Sequence, residues 1–186
     1  VRQDEALTIA RRYGWPIAGA VVLGLAAFGG WLFWQDRQDA ALETSSEQLV
    51  AALDELEAGN LDTADDELAA INGGGAATMA QLARAGLAMQ QDRAAEAVTL
   101  YAAIAENAEA PQQLRDLAAI RMMAARFDAV EPQVVIDRIG SLAVPDSPWF
   151  GSAGELVAFA YLKQDKPEEA GALLAAIAKD QKVPQS

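Results

Sequence analysis

The sequence predicts an all-α protein: one N-terminal transmembrane helix followed by an α-solenoid of about four helix pairs. Three observations predict it. The 186 residues are 52% hydrophobic but only 6% aromatic, so alanine and leucine, both good helix formers, carry the apolar content. An uncharged run long enough to cross a bilayer lies near the start of the chain. Behind it, a helix-spaced apolar pattern returns at intervals of roughly 34 residues. No segment alternates with period two for long enough to suggest a strand.

The first element is the uncharged run. No charged residue occurs between Arg12 and Asp36. At a rise of 1.5 Å per residue, about 22 apolar residues make a helix of roughly 33 Å, against a hydrocarbon core of about 30 Å. Tyr13 and Trp15 lie at one end and Trp31, Phe33 and Trp34 at the other, where amphipathic rings favour the headgroup level. Pro16 falls in the first turn, where its missing N–H costs little. A cleaved signal peptide has an apolar region of only about 7 to 15 residues followed by small residues, whereas this run ends in Trp-Leu-Phe-Trp. Arg2, Arg11 and Arg12 precede the span and only Arg37 closely follows it, which places the N-terminus in the cytoplasm. The expected organisation is a cytoplasmic stub over 1–12, a membrane helix over 13–35 and a helical domain over 36–186. The chain begins with Val1 instead of Met, so residues are expected to precede it. Ala20 with Gly24, and Ala26 with Gly30, are small-xxx-small pairs that would let another membrane helix approach closely.

The second set of elements is repeated. Ala64, Leu68 and Ile71 follow the break Gly59-Asn60, and Ala97, Tyr101 and Ile104 follow Asp92-Arg93. A looser copy, Val135, Ile139 and Leu142, follows Glu131-Pro132, and Ala170, Leu174 and Ile177 follow Asp165-Lys166-Pro167. Positions i, i+4 and i+7 fall on one helix face. Each triplet is preceded by a partner stretch, predicted as Glu47 to Glu57, Met79 to Gln91, Gln112 to Phe127 and Trp149 to Gln164. Gly73-Gly74-Gly75, Pro111, Pro132, Pro145 and Pro148 separate helices, and Pro167 suits a first turn. Eight helices in four antiparallel pairs result, with the spacing of a tetratricopeptide-type solenoid. The first helix is expected to run on from the span, because Gln35 to Glu57 contains neither proline nor glycine.

Composition excludes much chemistry. There is no cysteine or histidine, hence no thiol nucleophile, no disulfide, no Ser-His pair and no ordinary zinc or haem ligand set. No cofactor, metal or catalytic residue is expected, and the protein is not expected to be an enzyme. The net charge is −13, and since the residues up to Gln35 sum to +1, the rest carries −14. Such a field repels nucleic-acid phosphates. The acidic cluster Asp62, Asp65, Asp66 and Glu67 lacks the spacing and central glycine of a calcium loop, and reads as the solvated first turn of a helix. Gly73-Gly74-Gly75 lacks a following GKS or GKT and reads as a linker.

The chain also resembles a known family, the YfgM-like single-span proteins of bacterial inner membranes, with a tetratricopeptide-like domain. The likeness runs through the stub ending Arg11-Arg12-Tyr13-Gly14, the single span, its exit from Trp31 to Asp36, and helix pairs ending in Gly154-Glu155-Leu156 and Lys166-Pro167-Glu168-Glu169-Ala170. It departs from the repeat consensus where Ala85 and Ala158 stand in place of glycine, and the tail after Lys179 is short for a closing helix. The resemblance implies an ancillary subunit of the SecYEG translocon, or an adaptor for periplasmic chaperones, with the helical domain in the periplasm. A structural accessory subunit of another inner-membrane complex, such as a respiratory assembly, is the alternative.

Solenoid geometry supplies candidate binding residues, since the first helix of each pair lines the concave side. Met79, Leu82 and Met89 share a stripe in the second repeat, and Phe159 and Leu162 occupy corresponding positions in the last, beside Glu155. These side chains either face a partner, for which flexible Met is well suited, or pack as core between helices. A clamp for a terminal carboxylate needs cations where this chain has Leu82, Gly86, Glu155 and Phe159.

Overall fold

A computed structural model of the protein describes residues 42–180. Among them are eight α-helices and no strand. We number them α1 (residues 42–57), α2 (Leu61–Ala70), α3 (Gly74–Gln90), α4 (Ala94–Glu106), α5 (Gln112–Ala125), α6 (Pro132–Ile139), α7 (Phe150–Lys163) and α8 (Pro167–Lys179). A short 3-10 turn, Gly140–Leu142, extends α6. The described residues from Ser45 onward form one compact unit. The predicted span, 13–35, lies outside the described residues. No helix among the described residues is long and apolar enough to cross a membrane.

The repeat pattern read from sequence is the buried face of the second helix of each pair. Ala64, Ala97, Val135, Ile139 and Ala170 have no exposed surface, Leu68 and Ile104 are 1% exposed, and Ile71, Tyr101 and Ile177 are buried. Leu142 and Leu174 are half-buried, where the third pair ends in its 3-10 turn and the fourth lacks a successor.

A second regularity emerges from burial. Twelve residues before the first member of each triplet stands another fully or nearly fully buried residue: Ala52, Ala85, Met123 and Ala158. These pairs, one residue on each helix of a hairpin, fix a common register for the four repeats. Alanine there lets backbones approach closely. In the third repeat Met123 and Val135 replace two alanines at the same spacing of twelve, and the 38-residue interval arises upstream, where α4 and its loop to α5 are longer than α2 and its loop to α3.

The turns obey the same register. Seven residues beyond Ala52, Ala85 and Ala158 lie Gly59, Asp92 and Asp165, all with positive φ (83°, 59° and 56°). Each ends its helix in a left-handed turn that satisfies orphan carbonyls. The Arg93 N–H donates to Ala88 O at 2.7 Å, that of Lys166 to Tyr161 O at 3.0 Å and that of Asn60 to Glu55 O at 2.9 Å. Pro132 and Pro167 then open α6 and α8 at the first turn.

Two local readings change. Helix α3 begins at Gly74, not Met79, and Gly73 and Gly74 have φ of 90° and 62°. The glycines are therefore the tight entry to α3 and not a loose linker, because only glycine adopts successive left-handed conformations without strain. Asp65 is not a freely solvated carboxylate. It accepts a hydrogen bond from Arg84 Nε of α3 at 2.7 Å and lies 3.7 Å from Arg93, tying α2 to the following pair. Helix α1 is already formed at residue 42, consistent with a first helix that extends upstream of Glu47.

Candidate functional site

Odd-numbered helices form one layer. α3 touches α5 and α5 touches α7 directly, and α1 shares an apolar cluster with α3 through Ala52 and Ala80. Each of α2, α4 and α6 also packs on the first helix of the following hairpin. Closer approach belongs to the inner side of a superhelical stack, where repeat proteins present extended binding surfaces.

Seven of the nine large apolar residues that are exposed among the described residues belong to odd-numbered helices. The repeat register shows how they are arranged. Positions −6, −3, +1 and +4 from each buried residue of the first helix have the i, i+3, i+7, i+10 spacing of one helix face. In the second repeat these are Met79, Leu82, Gly86 and Met89; in the fourth, Ser152, Glu155, Phe159 and Leu162. In the first they are Ser46, Leu49, Leu53 and Leu56, and in the third Leu117, Ile120, Ala124 and Phe127. The two stripes read from sequence therefore belong to a strip that continues through all four repeats.

The side chains on the strip are unequally covered. Met79 is 43% exposed, Met89 37%, Phe159 48% and Leu162 44%. Leu53 is also exposed, Leu82 and Phe127 are half-buried against the main core, and Ile120 is buried. The candidate residues Met79, Met89, Phe159 and Leu162 thus point to solvent instead of filling the space between helices, and Leu82 is shared between strip and core.

The third and fourth repeats are joined at one end of the strip. Lys163, next to Leu162, places its Nζ 4.4 Å from the centre of the Phe127 ring and 2.6 Å from the Asp128 carboxylate. Such contacts hold Phe127 in place at partly exposed positions. Below the strip, Tyr101 is buried in the core, and burial raises its phenol above the usual value, partly opposed by the Arg121 guanidinium. The pairs Ala20 with Gly24 and Ala26 with Gly30 fall outside the described residues.

Sequence reading identified the strip in two repeats and missed Leu49, Leu53, Leu56, Leu117, Ile120 and Phe127. The signal that finds them is the spacing of twelve between the buried residues of a hairpin, and its third instance, Met123 with Val135, is hidden by the change of residue type.

The sequence matches the family described as a tetratricopeptide repeat-like domain over residues 10–183. The chain belongs to that family. The match runs through all four helix pairs and begins upstream of the described residues. No curated protein and no solved structure matches it significantly. A tetratricopeptide repeat-like domain is a module for protein–protein interaction, so the partners of this chain are proteins.

Proposed function

We propose that the protein is a membrane-anchored, non-catalytic interaction module that holds a protein partner against the apolar strip of its inner layer. The observation that carries this reading is the exposure of Met79, Met89, Phe159 and Leu162 on one register-defined line, since soluble surfaces rarely leave aligned large apolar side chains uncovered without a partner. Tyr13 to Gln35 supplies the anchor, with 1–12 in the cytoplasm and the helical domain on the periplasmic face of a bacterial inner membrane. The arginine asymmetry supports that orientation. The resemblance to YfgM-like proteins supports a place beside the SecYEG translocon and the periplasmic chaperones that meet emerging chains.

The small residues Ala20, Gly24, Ala26 and Gly30 favour a second reading, in which the protein is a structural accessory subunit of another inner-membrane complex, docked through its span. One pair of variants separates the two. Replacing Met79, Leu82 and Met89 with glutamate should abolish co-purification of the partner after mild detergent extraction, because the charges would have to be desolvated against apolar surface. An unchanged melt of the variant ensures that the loss lies in binding. Leucine at Gly24 and Gly30 should leave capture intact if the strip is the main contact. Capture lost in the span variant and kept in the strip variant would reverse the assignment.

A further inference from the structure

The chemistry of the strip restricts what it can hold. Of its sixteen positions, only Glu155 is charged, and only Ser46 and Ser152 are otherwise polar. Glu155 is exposed, one helical turn before Phe159, and no cation pairs with it among the described residues. Asp65, Glu96 and Asp128, by contrast, are ion-paired, and all three lie off the strip. The residues after Gln35 as a whole carry a balance of −14.

We propose that the strip receives an amphipathic protein segment with apolar residues on one face and lysine or arginine at its edges, one of which pairs with Glu155. This rests on the inner-layer reading above and adds the charge of the partner to it. The apolar face of the segment covers Met79, Met89, Phe159 and Leu162, while its cations lie in a field that would repel acidic edges. The same field disfavours other occupants. A second copy of the chain would bring its own −13 to the contact, and an anionic lipid surface or a terminal carboxylate meets no cation on the strip. Methionine at two of the exposed positions allows repacking around segments of differing sequence, so selectivity rests on edge charge more than on shape.

The test uses the full chain in discs of zwitterionic lipid. Three short synthetic peptides share leucines at helical spacing and carry lysine, glutamine or glutamate at their polar positions, each with one photo-crosslinking residue. At low salt, crosslinking to the strip is expected to rank lysine above glutamine above glutamate, with about a tenfold spread between the extremes. The spread should shrink as salt is raised. Glu155→Lys should narrow or reverse the ranking, and each peptide's partition into lipid is common to both proteins. Failure of the glutamine peptide to crosslink at all would overturn the inner-layer reading together with this inference. Equal crosslinking of the lysine and glutamate peptides, alongside capture of the glutamine peptide, would overturn only the charge preference. Crosslinks between two copies of the chain at the strip that no peptide displaces would assign it to self-association and overturn the proposal.

Discussion

Two glycines in first helices should respond oppositely to the same substitution. Gly86 lies on the exposed strip of α3, and a Cβ added there meets nothing within 4 Å. Gly86→Ala therefore keeps the propensity gain of alanine over glycine, about 1 kcal/mol. Gly154 is buried in α7, where a Cβ would lie 2.6 Å from Ile177 Cδ1 and 3.3 Å from its Cγ1. Ile177 is only 7% exposed, so its Cδ1 has little room to turn away. Overpacking costs about 1 to 3 kcal/mol, which exceeds the propensity gain and leaves Gly154→Ala destabilising by about 1 kcal/mol. For a domain of this size each kcal/mol moves the melting midpoint by roughly 3 °C. Circular dichroism melts should thus place the two variants on opposite sides of the parent. Ile177→Val removes the clashing methyl at a cost of about 1 kcal/mol by itself. In the Gly154→Ala background that cost should largely vanish, giving a favourable coupling in the double-mutant cycle. A stabilised Gly154→Ala, or costs that simply add, would refute the close α7–α8 contact.

Other expectations follow from the same architecture. The fragment 39–186 should fold alone into a mainly helical domain with a cooperative melt, since each repeat buries its apolar face on its neighbours; Trp149 is its one tryptophan and reports the transition by fluorescence, and a strand-dominated spectrum would contradict the solenoid. Asp165→Gly should raise stability by about 0.5 to 1 kcal/mol in a denaturant titration, because φ of 56° strains a residue with a side chain. Tyr101 is held neutral by burial, so its contribution to stability is complete below the unfolded phenol's value near 10 and is lost as pH rises above it; tyrosinate absorbance should show a late-titrating group, and Tyr101→Phe should flatten the alkaline loss. In spheroplasts, added protease should remove the region after Asp36, and protection until the inner membrane is broken would reverse the orientation.

Helix hairpins were legible because their signal is local. An apolar residue at i, i+4 and i+7 after a polar break marks one face of one helix, and the structure buries nearly all of those residues, from Ala64 to Ile177. What was less legible depends on neighbours far along the chain. Asp65 read as solvated because its partner, Arg84, lies on the next helix. Gly73 and Gly74 read as a linker because no phosphate-loop residues follow them, whereas φ of 90° and 62° makes them a defined entry into α3. The strip in the first and third repeats was hidden for a third reason. Leu49, Leu117 and Phe127 look like any core leucine or phenylalanine until the register aligns them with Met79, Leu82 and Met89.

The distribution of side-chain size argues that this register serves binding as well as stability. Of the 27 buried apolar residues among those described, 14 are alanine, each contributing little transfer free energy. Meanwhile Leu53, Met79, Met89, Phe159 and Leu162 stay substantially in water, although fully burying such a side chain stabilises a fold by about 1.5 to 3 kcal/mol. Stability alone would favour the reverse arrangement, with large groups between the layers and small ones outside. Alanine at 52, 85 and 158 instead draws each hairpin together and leaves the larger groups on its inner face. The unused transfer free energy of those groups is available to a partner. Glutamate at Met79 and Met89 should therefore cost the fold little and the complex much, whereas leucine at Ala85 should unfold the hairpin before any effect on binding could be read.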